Sequence, residues 1–89
     1  MKIFLVVFQS TANDKDKIIV QIKAFGSWAR ISETTYAIKC EDIFTANIRD
    51  SLSEKFPGDV RFFVIEITDS AWASYKLPKA VTDWLKDRD

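Results

Sequence analysis

The chain has 89 residues with 13 basic and 13 acidic side chains, so it lacks the excess positive field on which sequence-independent nucleic-acid binding depends. It has no histidine and a single cysteine, Cys40, which excludes Ser-His and Cys-His catalysis, the common zinc sites and an internal disulfide. With 47% hydrophobic residues, two glycines and two prolines, it reads as one domain, of a size at which a lone chain buries only about 60 to 65% of its unfolded surface.

The first element is the run Ile3 to Phe8. Its apolar residues are continuous and include β-branched and aromatic members, which predicts a strand buried on both faces. The run is too short for a signal peptide or a membrane span, so the expected location is the cytoplasm. A polar loop follows, and Asp14 or Asp16 is placed to cap a helix with Ile18, Ile22 and Phe25 on one stripe, widened by Ile19. Gly26 suits the stop of that helix. Trp28 to Ile31 and Thr35 to Cys40 are rich in strand formers and are joined by the polar link Ser32-Glu33-Thr34, which predicts a hairpin. Asp42 or Thr45 then opens a second helix with Ile48, Leu52 and Phe56 on its apolar stripe, closed by Pro57-Gly58. Val60 to Ile67 returns to a strand, with Val60, Phe62 and Val64 pointing one way and Phe63, Ile65 and Ile67 the other.

The order is therefore β-α-β-β-α-β, an α+β arrangement of the ferredoxin-like type. Two helices are expected to cover one face of a four-stranded antiparallel sheet, with the first and third strands central and the fourth on an edge beside the first. Residues 1–89 form a single domain on this reading, with a core at 1–69 and a tail at 70–89. Within the tail, Trp72 to Leu77 alternates weakly and predicts a short fifth strand. Pro78 precedes Val81, Trp84 and Leu85, which predicts a small amphipathic helix.

The first and fourth strands offer apolar side chains on both faces, whereas the two main helices cover one. At about 25 cal/mol per Å², an uncovered patch of several hundred Å² forgoes several kcal/mol, comparable to the whole stability of a small domain. The expectation is a homodimer meeting sheet face to sheet face, with the tail crossing or edging the interface. Phe4, Val6, Phe62, Trp72 and Trp84 are the candidates for packing the tail or the second copy.

The residues Glu33-Thr34-Thr35-Tyr36-Ala37-Ile38-Lys39, the triplet Ile48-Arg49-Asp50, and Trp72 with Trp84 carry a resemblance that runs over nearly the whole chain. The pattern resembles the SinR-like proteins, small relatives of the CRISPR-associated adaptation nuclease family numbered two. The resemblance implies a ferredoxin-like homodimer in a defence context, with the last strand of each protomer packing on its partner. It also implies, for nuclease members, an aspartate at the end of the first strand that holds Mg²⁺ near the two-fold axis, where a hard cation polarises a phosphodiester and activates water. The matching position here is Gln9. An amide oxygen brings no negative charge, so two Gln9 side chains make a far poorer divalent site than two carboxylates.

The leading expectation is thus a non-catalytic homodimeric binding or assembly module with no cofactor, acting on a protein or a nucleic acid and not on a membrane. The alternatives are a Mg²⁺-dependent ribonuclease or deoxyribonuclease of that family using displaced carboxylates, and a duplex-binding subunit without chemistry. Ser10 and Thr11, with Asp14 and Asp16, form a candidate anion or ligand loop, although the loop lacks glycine and any Walker pattern. Helix capping accounts for the two aspartates with fewer assumptions. Arg30, Lys39 and Arg49, with Lys55 and Arg61, are candidate nucleic-acid contacts, but acidic residues are interleaved with them as on an ordinary mixed surface. Trp28, Trp72 and Trp84 could stack bases, yet aromatic residues in so small a chain more often build core or interface. Cys40 reads as a small buried apolar group.

Overall fold

Strand alternation divides the apolar residues between the two faces of one sheet, and the helices settle on the face that carries the larger share. The computed structural model describes residues 1–10 and 13–87. Its elements are β1 (Lys2–Gln9), α1 (Lys15–Lys23), β2 (Ser27–Ser32), β3 (Thr35–Cys40), α2 (Thr45–Lys55), β4 (Arg61–Glu66) and α3 (Lys79–Lys86). The strands form one antiparallel sheet in the order β2-β3-β1-β4. This is the ferredoxin-like arrangement expected from the element order, with β1 and β3 central.

Even-numbered residues of β1, β3 and β4 face α1 and α2. Phe4, Val6, Phe8, Tyr36, Ile38 and Cys40 form the core there with Ile18 and Ile22 of α1 and Ile48 and Leu52 of α2, while Phe62 and Val64 pack on it from β4. Phe4, Val6, Ile18, Ile22, Ile38, Ile48 and Leu52 are fully buried, so truncating any of the isoleucines or Leu52 to alanine is expected to cost about 2–5 kcal/mol. Phe4, Val6 and Phe62 therefore serve the helix side of the sheet. Phe4 and Val6 are fully buried there, on the face away from the tail.

The helix boundaries have local causes that differ from those expected. Asp14 occupies the N-cap of α1, but its side chain makes no capping hydrogen bond, and Asp16 lies in the first turn. Asp42 adopts φ 56°, a left-handed conformation that aspartate tolerates better than most residues, and it turns the chain off β3 rather than opening α2. α2 starts at Thr45, where Asn47 Oδ1 accepts a hydrogen bond from the Phe44 N–H at 3.0 Å. Gly26 follows α1 without a positive φ. A Cβ at Gly26 would run into the Lys39 carbonyl oxygen, so glycine is required there by close approach to β3.

The expected fifth strand does not form. Residues 71–78 are irregular, and Lys76 adopts φ 63°, which breaks the extended backbone in the middle of the segment. The tail helix does form, and the Pro78 carbonyl accepts from the Val81 and Thr82 N–H groups at its first turn. Among the described residues, no helix is long and apolar enough to cross a membrane.

Candidate functional site

α3 lies on the sheet face opposite α1 and α2, and the side chains that hold it there are polar. Lys39, an odd-numbered residue of β3, is buried with 6% of its surface exposed. Its Nζ donates to the Trp84 carbonyl at 2.6 Å and to the Asp87 carbonyl at 2.7 Å, and sits 4.4 Å from the centre of the Trp84 ring. A lysine ammonium at the last carbonyls of a helix satisfies orphan acceptors and complements the helix dipole. Trp84 Nε1 donates to Ser27 Oγ at 2.7 Å, and Leu85 is buried. Beneath the docked tail, Ala29 of β2 and Ala37 of β3 lie opposite each other in register and are both buried. Their small side chains let the tail approach the sheet closely. Lys39 is therefore a tether for α3, not a nucleic-acid contact.

On the other half of this face Ile3 is buried, but the rest of β1 and β4 is open. Leu5 pairs with Ile65 and Val7 with Phe63 across β1 and β4. Leu5 and Val7 are half-buried, but Phe63 is 62% and Ile65 43% exposed. These four residues form an apolar strip that reaches the outer edge of β4. Trp72 and Tyr75, on the irregular segment leading to α3, are exposed as well. The tail that the apolar faces called for thus covers the β2–β3 half and leaves the β1–β4 half open.

Gln9 ends β1 on this same face, exposed, with Arg61 as its register partner on β4. Gln9, Ser10, Gly58, Asp59, Val60 and Arg61 line an open cleft of about 440 Å³. Thr11, the next candidate in the loop, lies outside the described residues. Asp14 and Asp16 belong to the start of α1 and do not line the cleft. Among the described residues, no group of three or more His, Cys, Asp or Glu side chains is placed to hold a metal ion. The cleft offers one guanidinium, one carboxylate, one amide and the Ser10 hydroxyl, a set that hydrogen-bonds a small polar group.

The remaining cations are dispersed. Arg30 is on β2 and Arg61 on β4, the two opposite edges of the sheet. Arg49 is on the exposed side of α2 and pairs with Asp50 at 2.8 Å, and Lys55 donates to Gln21 Oε1 at 2.7 Å. They do not line one phosphate-tracking stripe. Trp28 carries the Lys23 Nζ 4.1 Å from its ring centre and packs at a tilt on Tyr36, while Trp84 is engaged by Lys39 and Ser27. Cys40 is buried, and burial pushes its thiol pKa up against a smaller lowering effect of Lys2. A thiol in that state is a poor nucleophile.

Sequence reasoning found the strip residues Phe63 and Ile65 as the second face of the last strand. It missed Lys39, because a lysine in an alternating strand reads as solvent-facing until a helix from elsewhere in the chain is laid over it. Compared with known proteins, the chain matches no family model, no curated protein and no solved structure.

Proposed function

We propose that the protein is a non-catalytic homodimeric binding or assembly module, working in the manner of the adaptation proteins that its sequence resembles. The observation that carries this reading is the bare apolar strip of Leu5, Val7, Phe63 and Ile65, contiguous with the unpaired edge of β4. An apolar strip beside a free strand edge is a surface for association, and in a chain this small a second copy is the simplest cover. Because α3 of the same chain occupies the β2–β3 half, the sheet-to-sheet contact expected from the sequence is confined to the β1–β4 half. Gln9 at the strand end supports the non-catalytic part of the reading, since the position at which relatives are expected to place a metal-binding carboxylate holds a neutral amide.

Sedimentation of the full chain at micromolar concentration tests the assembly: a dimer is expected, and a monomer overturns it. Incubation with RNA and DNA in Mg²⁺ tests the chemistry. No cleavage is expected, and cleavage abolished by Asp14→Ala or Asp16→Ala would replace this reading with that of a metal-dependent nuclease. Binding to duplex that falls steeply with salt would instead assign the module to nucleic acid.

A further inference from the structure

We propose that the free edge of β4 pairs with the same edge of a second copy, joining the two four-stranded sheets into one across a two-fold axis at Val64. The inference rests on the homodimer reading but sets the two copies edge to edge in one continuous sheet, not face to face, so Phe63 and Ile65 at the rim of the strip are paired across the seam and Leu5 and Val7 are not.

β4 has a neighbour on one side only, β1. The Ile67 N–H donates to the Ile3 carbonyl at 2.8 Å, in the same register that sets Leu5 against Ile65 and Val7 against Phe63. In an antiparallel ladder, residues two apart turn their backbone N–H and C=O groups to the same side. Phe63 and Ile65 therefore point theirs at β1, as Ile67 does, and Phe62, Val64 and Glu66 turn theirs outward. Three outward residues centred on Val64 make a self-complementary set. A two-fold axis at Val64 pairs Val64 with the partner's Val64 and Phe62 with the partner's Glu66, so every outward group of the strand finds a counterpart. An axis at Phe63 would set Glu66 against the partner's Val60, outside the strand.

The side chains agree with that register. On the bare face, Phe63 comes opposite the partner's Ile65 and Ile65 opposite the partner's Phe63, so the two most exposed members of the strip pair with each other. On the helix-covered face, Phe62, Phe63 and Val64 line a groove of about 220 Å³ with Thr45, Ala46 and Arg49 of α2. The partner's Glu66, opposite Phe62 and on this face by alternation, brings to the groove that Arg49 lines a carboxylate that within one protomer accepts from the Thr68 hydroxyl at 2.7 Å. Arg49 is otherwise engaged with Asp50, its exposed neighbour in sequence. Two-fold symmetry makes this contact twice, which is the charge complementarity expected of an isologous interface. Of the usual guards against such pairing the strand lacks a proline and a bulge, its register with β1 being unbroken, and its charges, Arg61 and Glu66, stand at its ends.

Sedimentation equilibrium of the full chain tests the register with three variants. Val64→Pro removes an outward N–H and no bond to β1, and it is expected to give a monomer with an unchanged far-UV spectrum. Glu66→Arg sets two like charges in each groove and is expected to raise the dimer Kd about tenfold or more. Arg49→Glu added to Glu66→Arg is expected to restore it. A wild-type dimer whose Kd Glu66→Arg leaves unmoved, or weakens without rescue by the second reversal, overturns the edge pairing and leaves the homodimer standing. A wild-type monomer overturns both. If Val64→Pro fails to fold, the charge reversals decide alone.

Discussion

The two halves of the sheet's second face are built by the same alternation and end differently. On the β2–β3 half, Ala29 and Ala37 are small and lie buried under the tail, and Lys39 supplies two hydrogen bonds that fix the carboxyl end of α3. On the β1–β4 half, Phe63 and Ile65 are large and exposed, and no polar group among the described residues ties the tail above them. The contrast teaches that apolar surface alone does not decide where a short helix docks. A low surface admits the helix, and a buried cation at its last carbonyls fixes its position. The bulky half is left for association.

The strongest way to break this contrast is to remove the tether. Lys39→Met keeps the length of the side chain and deletes both donors, and it is expected to destabilise the fold by about 3 kcal/mol, the range for lost hydrogen bonds to a charged group. Hydrogen exchange should show the loss concentrated in residues 79–86, with the core amides of β1 and α2 protected relative to global unfolding. Equal loss of protection everywhere would mean that α3 and the sheet unfold as one unit and that Lys39 is not a local tether.

A smaller effect is expected from the turn that leads into the covered half. Gly26→Ala drives a methyl group against the Lys39 carbonyl, a backbone atom that cannot swing aside, and overpacking of this kind costs about 1–3 kcal/mol. Urea unfolding would measure it. A neutral result would show that the chain between α1 and β2 moves freely away from β3, and that the glycine merely happens to stand there.

Much of the frame behind this contrast was legible in the sequence, because its signals are local. The continuous apolar runs at Ile3 and Val60, the stripes Ile18-Ile22 and Ile48-Leu52, and Pro78 before Val81, Trp84 and Leu85 each specify an element within a few residues. What was not legible depends on distant parts of the chain. The burial of Lys39 is created by a helix that arrives 45 residues later. The loss of the expected strand at Trp72 to Leu77 goes with the left-handed Lys76, which no propensity signal in that window announces. The choice of which half to cover depends on the sizes of Ala29, Ala37, Phe63 and Ile65 compared across strands, which no single window contains. For the candidate site, the strand-end position of Gln9 was readable, whereas its pairing with Arg61 and the separation of Arg30 from Arg61 required the sheet order.

On the bare half, substitution should disturb assembly more than folding. Ile65→Ser is expected to change the stability of the isolated fold by no more than about 0.5 kcal/mol, as at other exposed positions. It should weaken self-association in the same sample. A loss of several kcal/mol under conditions where the chain is monomeric would show that Ile65 is packed within one protomer and that the strip is not open.

The smallest expected effect sharpens the comparison at a single peptide bond, because Lys39 and its neighbour Cys40 point to opposite faces of β3. Lys39 is buried with its charge satisfied by carbonyls, whereas Cys40 is buried as a neutral thiol whose pKa is raised chiefly by desolvation. The native state therefore holds the thiol proton at pH values where the unfolded chain has released it, so stability falls with rising pH in that window. The contribution is fully present below the unfolded thiol pKa and is lost as pH rises through the folded one, with a slope of at most about 1.4 kcal/mol per pH unit. Urea unfolding through the alkaline range, wild type against Cys40→Ala, isolates this slope from that of other groups. The wild type should lose stability faster than the variant above the ordinary thiol value and run parallel to it below. Parallel curves throughout would place Cys40 in contact with water, and the covering of the first sheet face at the end of β3 would then be no more complete than that of the second.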